Sequence, residues 1–266
     1  MKKTNHFVVA ILCAFMLQGC RSQSSRELKD GFADPRATEI VEKVVTALGG
    51  AEKFNAVRYL SFHFVVARDT VRASDWRHDW DRSTGEYRLQ GRNDAGEELL
   101  ILFNVNNRRG EAYKNGQTME GEQLSSLLEF AYGRFINDTY WLLMPYKLRD
   151  PGVMLTFDGE QTIDNQKFEI IKLAFAPSAG LTPQNVYRVF VDPATSRIHR
   201  WEYFQDEGKE PRPALWVDWR SFDGITLAVE RVFEGRPSRL LFENIVVSKD
   251  VPPGLFTAQK GLAILE

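Results

Sequence analysis

Apolar and polar residues alternate along most of this chain beyond residue 58. Leu60, Phe62, Phe64 and Val66 occupy alternate positions. Successive side chains of a strand point to opposite faces of a sheet, so this spacing predicts a β-strand with one apolar face. Strand-like runs recur at 74–80, 86–92, 97–105, 110–114, 153–158, 167–175, 186–192, 197–205, 214–221, 225–234 and 239–247. About a dozen strands joined by short turns predict an antiparallel meander, and a sheet that long curls into a half-open or closed barrel.

A helix precedes these strands. It is predicted from Pro35 to Leu48, with Asp34 placed to cap the first turn and Gly49-Gly50 placed to end it. Apolar side chains share one face of this helix at helical spacing: Ile40, Val41, Val44, Val45 and Leu48. A short helical turn is expected at 51–54.

An apolar insertion interrupts the meander between residues 124 and 145. Residues at helical spacing (Leu124, Leu127, Leu128, Ala131, Tyr132 and Phe135) are followed by an apolar cluster from Tyr140 to Pro145. So much apolar surface must lie against the sheet, either as a lid over its concave face or as an ordinary helix that completes the core. The predicted fold is mainly β: a curved antiparallel half-barrel with an N-terminal helix and a helical insertion over the concave face.

The first twenty residues have the pattern of an export signal. Lys2 and Lys3 precede an apolar run from Phe7 to Leu17, which is too short for an ordinary membrane-spanning helix. The run ends in Leu17-Gln18-Gly19-Cys20, which resembles the lipobox of bacterial lipoproteins, where cleavage precedes a cysteine that carries diacylglycerol. The resemblance implies a signal peptide at 1–19, a lipidated Cys20, and a polar tether up to residue 33. The alternative is a plain signal peptide in which this cysteine is incidental.

Composition narrows the class of protein. The 266 residues lack a Pro/Gly/Ser-rich linker after the tether, so a single domain is expected over residues 34–266. The net charge is −2 and the basic residues are scattered, which argues against a nucleic-acid partner. No cysteine follows Cys20, so the fold must rest on an apolar core, for which 18 Phe, 8 Tyr and 6 Trp are available.

Candidate chemistry is sparse. His78 lies among three aspartates in the segment 75–81, a composition that suggests a metal site. On a strand, however, Trp76, His78 and Trp80 face one way and the aspartates face the other. An aromatic sheet face with solvated charges behind it is therefore the favoured interpretation. The sequence has no Gly-x-Ser-x-Gly motif and no thiol after Cys20, so we predict no enzyme, no metal and no cofactor.

The order of these segments resembles a known superfamily. An amphipathic helix, a long meander, an apolar insertion ending in the stretch 141–148, and a closing Phe242-Glu243-Asn244-Ile245-Val246 with Pro252-Pro253-Gly254-Leu255-Phe256 look like the LolA/LolB-like periplasmic lipoprotein carriers and outer-membrane lipoprotein receptors. The resemblance implies a half-barrel whose concave face, covered by helices, accepts acyl chains. The soluble carrier has no lipid anchor and the receptor is shorter, so the chain is expected to be a lipid-anchored relative with a role of its own.

The expected function is the binding of a hydrophobic ligand, either a lipid or a lipidated protein, by a monomer at the outer membrane facing the periplasm. The expected ligand contacts are Phe62 and Phe64 in the first strand and Leu124, Leu128, Phe135 and Trp141 in the insertion. Two alternatives stay open: an envelope scaffold with a filled core, and a hydrolase of an envelope lipid or glycan. An apolar tunnel favours the lipid binder, a space closed by large aromatic residues favours the scaffold, and a His–carboxylate group in a cleft favours the enzyme.

The predicted anchor is tested by Cys20→Ser. Several acyl chains hold a protein firmly at a membrane, so loss of the lipidated thiol should move the protein out of the membrane fraction. The measurement is fractionation together with metabolic lipid labelling. Full membrane retention of Cys20→Ser would reject the anchor.

Overall fold

The predicted helices and strands are present in the structure, a computed structural model that describes residues 33–177, 184–204 and 210–257. The helices are α1 (Pro35–Ala47), α2 (Ala51–Ala56) and α3 (Gly121–Lys147). The strands are β1 (Tyr59–Arg68), β2 (Val71–Asp81), β3 (Glu86–Arg92), β4 (Glu98–Asn104), β5 (Gly110–Lys114), β6 (Gln117–Thr118), β7 (Val153–Ile163), β8 (Gln166–Phe175), β9 (Val186–Asp192), β10 (Arg197–Phe204), β11 (Arg212–Phe222), β12 (Ile225–Phe233) and β13 (Ser238–Ser248). The predicted signal peptide, Cys20 and nearly all of the tether lie outside the described residues.

All thirteen strands form one antiparallel sheet that is not closed into a barrel. Its order is β6-β5-β4-β3-β2-β1-β13-β12-β11-β10-β9-β8-β7, so the first six strands form one meander and the last seven form another. The two meanders join at the centre, where β1 pairs with β13. The predicted mainly β, half-barrel fold is confirmed.

Helix α3 connects the two outermost strands of this sheet. It follows β6 at one edge and leads into β7 at the other, so its 27 residues, about 40 Å long, run across the sheet. The sequence predicted two apolar segments here, and the structure joins them into one helix. We call the sheet face beneath α3 the inner face and the opposite face the outer face.

Helix α1 forms as its sequence predicts. The side chain of Asp34 accepts a hydrogen bond from the Ala37 amide at 2.7 Å and caps the first turn. The apolar face of α1 is buried against the inner face of the sheet, together with the C-terminal part of α3. At the other end of α1, the carbonyl of Leu48 accepts a hydrogen bond from the Thr226 amide of β12 at 2.8 Å.

Two separate apolar clusters lie beneath α3. The smaller cluster is built on β2 to β5 and includes Trp76, Tyr87, Leu89, Leu99, Ile101, Phe103 and Ala112, with Ala131 of α3. The larger cluster contains α1, β1, strands from the second meander, and Leu142, Leu143, Met144 and Tyr146 of α3. We call residues 121–137 of α3 the N-terminal half and residues 139–147 the C-terminal half, because each half belongs to a different cluster.

The C-terminal half of α3 is bound to the second meander by polar contacts. Pro145 has no amide hydrogen, so the carbonyl of Trp141 loses its usual helical partner. The guanidinium of Arg231 donates to that carbonyl at 2.6 Å and to the Ala228 and Glu230 carbonyls at 3.0 Å. The Arg231 side chain also lies over the Trp216 ring, with its central carbon 3.4 Å from the ring centroid.

Arg231 is fully buried, and no carboxylate in the described part of the chain forms an ion pair with it. Burial lowers the pKa of its guanidinium well below the usual value. The hydroxyl of Tyr146 adds a second link, because it donates to the carbonyl of Leu48. These two side chains fix the end of α3 to β12 and α1.

Arg231→Leu tests this link. The substitution removes the donor from three carbonyl groups while also removing a buried charge, and the unsatisfied acceptors should outweigh the gain, lowering the free energy of unfolding by about 2–4 kcal/mol. Arg92→Leu is the matched control, because Arg92 forms an exposed pair with Glu98 and its loss should change stability by less than about 1 kcal/mol. Denaturant unfolding measures both. Equal stability of the two variants would contradict the role of Arg231.

Candidate functional site

The structure divides the six predicted ligand contacts between the two apolar clusters. Leu124, Leu128 and Phe135 belong to the N-terminal half of α3 and pack, only partly buried, against the cluster on β2 to β5. Phe130 of the same half is 39 % exposed and lies edge-on against Trp76. This half of the helix therefore shields the inner face while most of its own side chains stay partly exposed.

The other three predicted contacts belong to the larger cluster. Phe62 and Phe64 are buried in β1 and both pack against Phe242 of β13. Trp141, in the C-terminal half of α3, packs against Trp201 with 4.3 Å between ring centroids. The six residues therefore do not line one pocket, and only the three in the N-terminal half of α3 cover the smaller cluster.

A buried polar group lies where the two clusters meet. His78 of β2 and Asp138 of α3 are both fully buried, and His78 Nε2 lies 3.1 Å from Asp138 Oδ2. Arg134, one helical turn before Asp138, places its Nε 2.8 Å from the same oxygen. The hydroxyl of Tyr87 in β3 lies 2.6 Å from His78 Nδ1. We call these four residues the polar group.

The polar group is balanced only when His78 is neutral. Burial lowers the pKa of the imidazole and raises the pKa of the Tyr87 hydroxyl well above its ordinary value. We therefore assign the His78 proton to Nε2, facing Asp138, and a hydrogen bond from Tyr87 to Nδ1. Protonation of Nδ1 would turn that hydrogen bond around and leave the Tyr87 hydrogen among aromatic rings. Arg134 and Asp138 then supply one positive and one negative charge.

Aromatic rings enclose the polar group. Phe62 stacks on the His78 ring with 4.6 Å between centroids, and the Arg134 guanidinium lies over Trp76 and Phe64 at 5.2 Å and 5.3 Å. Burial lowers the pKa of Arg134 as well, although the nearby Asp138 opposes this shift. Burying charges in such surroundings costs free energy unless they are well paired. The polar group therefore stabilises the contact between α3 and the sheet less than packed apolar side chains would.

Asp138 and Arg134 were not among the predicted site residues. Both occur at helical spacing within the apolar stripe that contains Ala131 and Phe135, so they share the face that must meet the sheet. These two charged residues on an otherwise apolar helix face are the feature of the sequence that could have indicated the polar group. His78 and the aspartates of its own strand do diverge, as the alternation predicts, and the carboxylate that meets His78 comes instead from α3.

The outer face behind His78 differs from the prediction. Asp79 and Asp81 were expected to be solvated, but they are 0 % and 2 % exposed, so that interpretation was wrong. Asp79 accepts a hydrogen bond from Tyr59 at 2.6 Å and pairs with Arg77 at 2.9 Å. The carbonyl of Leu255, near the end of the described chain, accepts from Arg88 beside them at 3.3 Å. The segment after β13 thus covers charges that a strand pattern alone leaves open to water.

Two cavities of the described structure lie away from the contact between α3 and the sheet. One, of about 640 Å³, lies on the outer face between His63, Arg77 and Arg92. The other, of about 480 Å³, lies where β12 and β13 separate, because these strands pair only over Glu230–Val232 and Arg239–Leu241.

In the described residues, no three His, Cys, Asp or Glu side chains are arranged to hold a metal ion. None of the described helices is both long and apolar enough to span a membrane.

Solved structures with the same general architecture are distant in sequence. A DUF1329 family protein from Desulfovibrio piger has a TM-score of 0.50 and 12 % identity, over 85 % of this chain and 98 % of that one. A LolA superfamily protein from Nitrosomonas europaea has a TM-score of 0.48 and 12 % identity, over 83 % and 97 %. An outer membrane lipoprotein-sorting protein domain from Vibrio parahaemolyticus has a TM-score of 0.45 and 7 % identity, over 85 % and 97 %. At this level of identity, the similarity to the DUF1329 family protein is one of fold alone.

Sequence comparison identifies the family. No curated protein matches the chain. The sequence matches DUF6503, described as a family of unknown function, over residues 5–215, which is most of its length. The chain therefore belongs to DUF6503.

Proposed function

We propose that this protein is a membrane-anchored envelope protein that binds a hydrophobic ligand on the inner face of its sheet, without catalysis. One observation carries the proposal: the N-terminal half of α3 covers an apolar floor through partly exposed residues and a costly buried polar group. The C-terminal half, by contrast, is buried and fixed. The N-terminal half is thus suited to open as a lid while the rest of the helix stays in place.

The N-terminal half of α3 has few interactions that stabilise it as a helix. Glu120, at the N-cap, makes no side-chain hydrogen bond to the first turn. Gly133 lies in the helix interior, where glycine costs about 1 kcal/mol relative to alanine. Segments that open locally come from such weakly buried and weakly capped regions. The C-terminal half differs because Arg231 and Tyr146 hold it to β12 and α1.

The floor beneath the lid is apolar. Leu89, Ile101 and Phe103 project from neighbouring strands, and all are at most 4 % exposed while the helix is closed. A lipid chain that replaced Leu124, Leu128 and Phe135 would restore most of that burial, at roughly 25 cal/mol per Å² of apolar surface. Opening without such a ligand would leave the floor in water, so the lid should stay closed when empty.

The scaffold alternative has its own supporting observation. In the closed state, aromatic and aliphatic side chains pack against one another on the inner face. Under this alternative α3 is a permanent part of the core, and both halves of it resist opening equally. The two functions therefore differ in a measurable way.

Catalysis is not part of the proposal. The one His–carboxylate pair in the described inner face, His78 with Asp138, is fully buried, and both imidazole nitrogens face other groups of the protein. A general base must reach the substrate proton within hydrogen-bonding distance, and the closed structure leaves no route to these nitrogens. A ligand that opens the lid would uncover His78 without placing a second carboxylate from β2 on the same face.

Leu128→Glu separates the lid from the scaffold. If the N-terminal half is a lid, a charge at this partly exposed position should reduce binding of a fluorescent fatty acid more than it reduces stability. Leu143→Glu in the C-terminal half is the contrasting variant, because Leu143 is 2 % exposed and its replacement should destabilise the domain by several kcal/mol. Glu129→Gln, on the exposed side of the same helix, is the control for altered charge.

The readouts are thermal unfolding and fatty-acid titration of each variant in the full chain carrying Cys20→Ser, so that no detergent competes. The proposal expects wild-type binding, weak binding by Leu128→Glu with a thermal midpoint near that of the wild type, and unchanged behaviour of Glu129→Gln. No binding by the wild type, together with a large loss of stability in Leu128→Glu, would leave the scaffold in its place.

A further inference from the structure

The carboxylate of Asp138 is a charged group on the largely apolar inner face. It projects from α3 into a region bounded by aromatic rings, and it faces two donors, His78 Nε2 from the sheet and Arg134 Nε from its own helix. Its second oxygen, Oδ1, accepts a hydrogen bond from the side chain of Asn137 at 2.8 Å. The sheet therefore presents a donor to an anionic oxygen that arrives with the lid.

The fit of this carboxylate is poor. The contacts of Asp138 Oδ2 with His78 and Arg134 are short, but neither is aligned as a hydrogen bond. Nη2 of Arg134 is buried too, and it has no hydrogen-bond partner among the described residues. Buried donors and acceptors are normally satisfied, so such a cluster indicates a group built for another partner. Three of these unpartnered atoms are donors (His78 Nε2, Arg134 Nε and Arg134 Nη2) and one, Asp138 Oδ2, is an acceptor. Because donors are in excess, the missing partner is an anionic oxygen.

The polar group lies where the head group of an elongated ligand on the floor would lie. It lies at the junction of the two halves of α3, at one end of the floor that the N-terminal half covers. From residue 138 back to residue 124 the helix covers about 21 Å at a rise of 1.5 Å per residue. A single long acyl chain fits that length, with its head group beside His78 and its tail beneath Leu128 and Leu124.

We propose, on the basis of the proposed function, that the ligand is a single-chain amphiphile with an anionic oxygen head group, and that Asp138 occupies the place of that head group in the closed, empty protein. When the lid opens, Asp138 leaves His78, and a carboxylate or phosphate oxygen of the ligand takes its place. The polar groups that face this position are His78 from β2, Tyr87 from β3, and Arg134 and Asp138 from α3, while β1 contributes the rings of Phe62 and Phe64. Asp79, next to His78 in the chain, faces the outer side.

Asp138 thus competes with the ligand for the same donors. An amphiphile without charge would bury its tail equally well but would leave His78 Nε2 without an anionic partner, whereas Arg134 keeps Asp138 on its own helix. Hydrogen bonds to a charged acceptor are stronger than neutral ones, so anionic ligands should bind about tenfold or more tightly than neutral ligands of the same chain. Loss of the Asp138 charge should favour the anionic ligands further.

The experiment measures dissociation constants of four probes with one acyl chain: oleate, oleoyl lysophosphatidate, methyl oleate and mono-oleoylglycerol. The protein is the full chain carrying Cys20→Ser, alone and with Asp138→Asn, His78→Gln or Asp150→Asn. Asp150→Asn is the matched control, because Asp150 follows the same helix and pairs with Lys147 at the surface. Oleate and oleoyl lysophosphatidate distinguish a carboxylate from a phosphate head group.

The expected results are a preference of the wild type for anionic probes, about tenfold tighter anionic binding by Asp138→Asn with neutral probes unchanged, and loss of the preference in His78→Gln. Asp150→Asn should behave as the wild type. Equal affinity for anionic and neutral probes would overturn the head-group assignment and leave the proposed function intact. Absence of binding by all four probes would overturn both. If Asp138→Asn does not fold, the wild-type preference and its loss in His78→Gln still decide the matter.

Discussion

One topological constraint shapes the rest of this structure: a single helix must join the two outermost strands of an open sheet. The strand order places β6 and β7 at opposite edges, and α3 is the chain between them. The shortest route passes across the inner face, so the helix that makes the connection also covers the apolar floor. The same helix therefore both connects the two edges of the sheet and covers the apolar floor. Any motion of α3 must leave at least one of its ends attached.

The two halves of α3 are held to the sheet in different ways. Pro145 frees the Trp141 carbonyl, and Arg231 takes it as an acceptor, which ties the C-terminal half to β12 in a buried contact. Among the described residues, no side-chain hydrogen bond joins the N-terminal half to a strand in this way. This half relies on partly exposed apolar side chains and, at its junction with the C-terminal half, on the polar group of His78, Asp138, Arg134 and Tyr87. A charged contact in an aromatic setting gives less net stability than well-packed apolar side chains would, and in our proposal the head group of a ligand replaces it.

Local sequence patterns predict most of the fold but not the residues of the candidate site. The alternation at Leu60 to Val66 and the cap at Asp34 depend on near neighbours, and both elements form where they were predicted. The contact of Arg231 with Trp141 joins residues 90 positions apart and exists only because β12 lies beneath the end of α3. His78 meets Asp138 for the same reason, across a fold that strand periodicity cannot assemble. The buried state of Asp79 likewise depends on a later segment, at Leu255, that no strand pattern places there.

The central claim is that the N-terminal half of α3 opens while the C-terminal half stays bound, and amide hydrogen exchange followed by mass spectrometry of the full chain tests it most directly. The account predicts that amides of residues 121–137 exchange by local opening, with much less protection than residues 139–147 and β1, and that oleate slows their exchange. Equal protection of both halves, at the level set by global unfolding and unchanged by oleate, would contradict the claim.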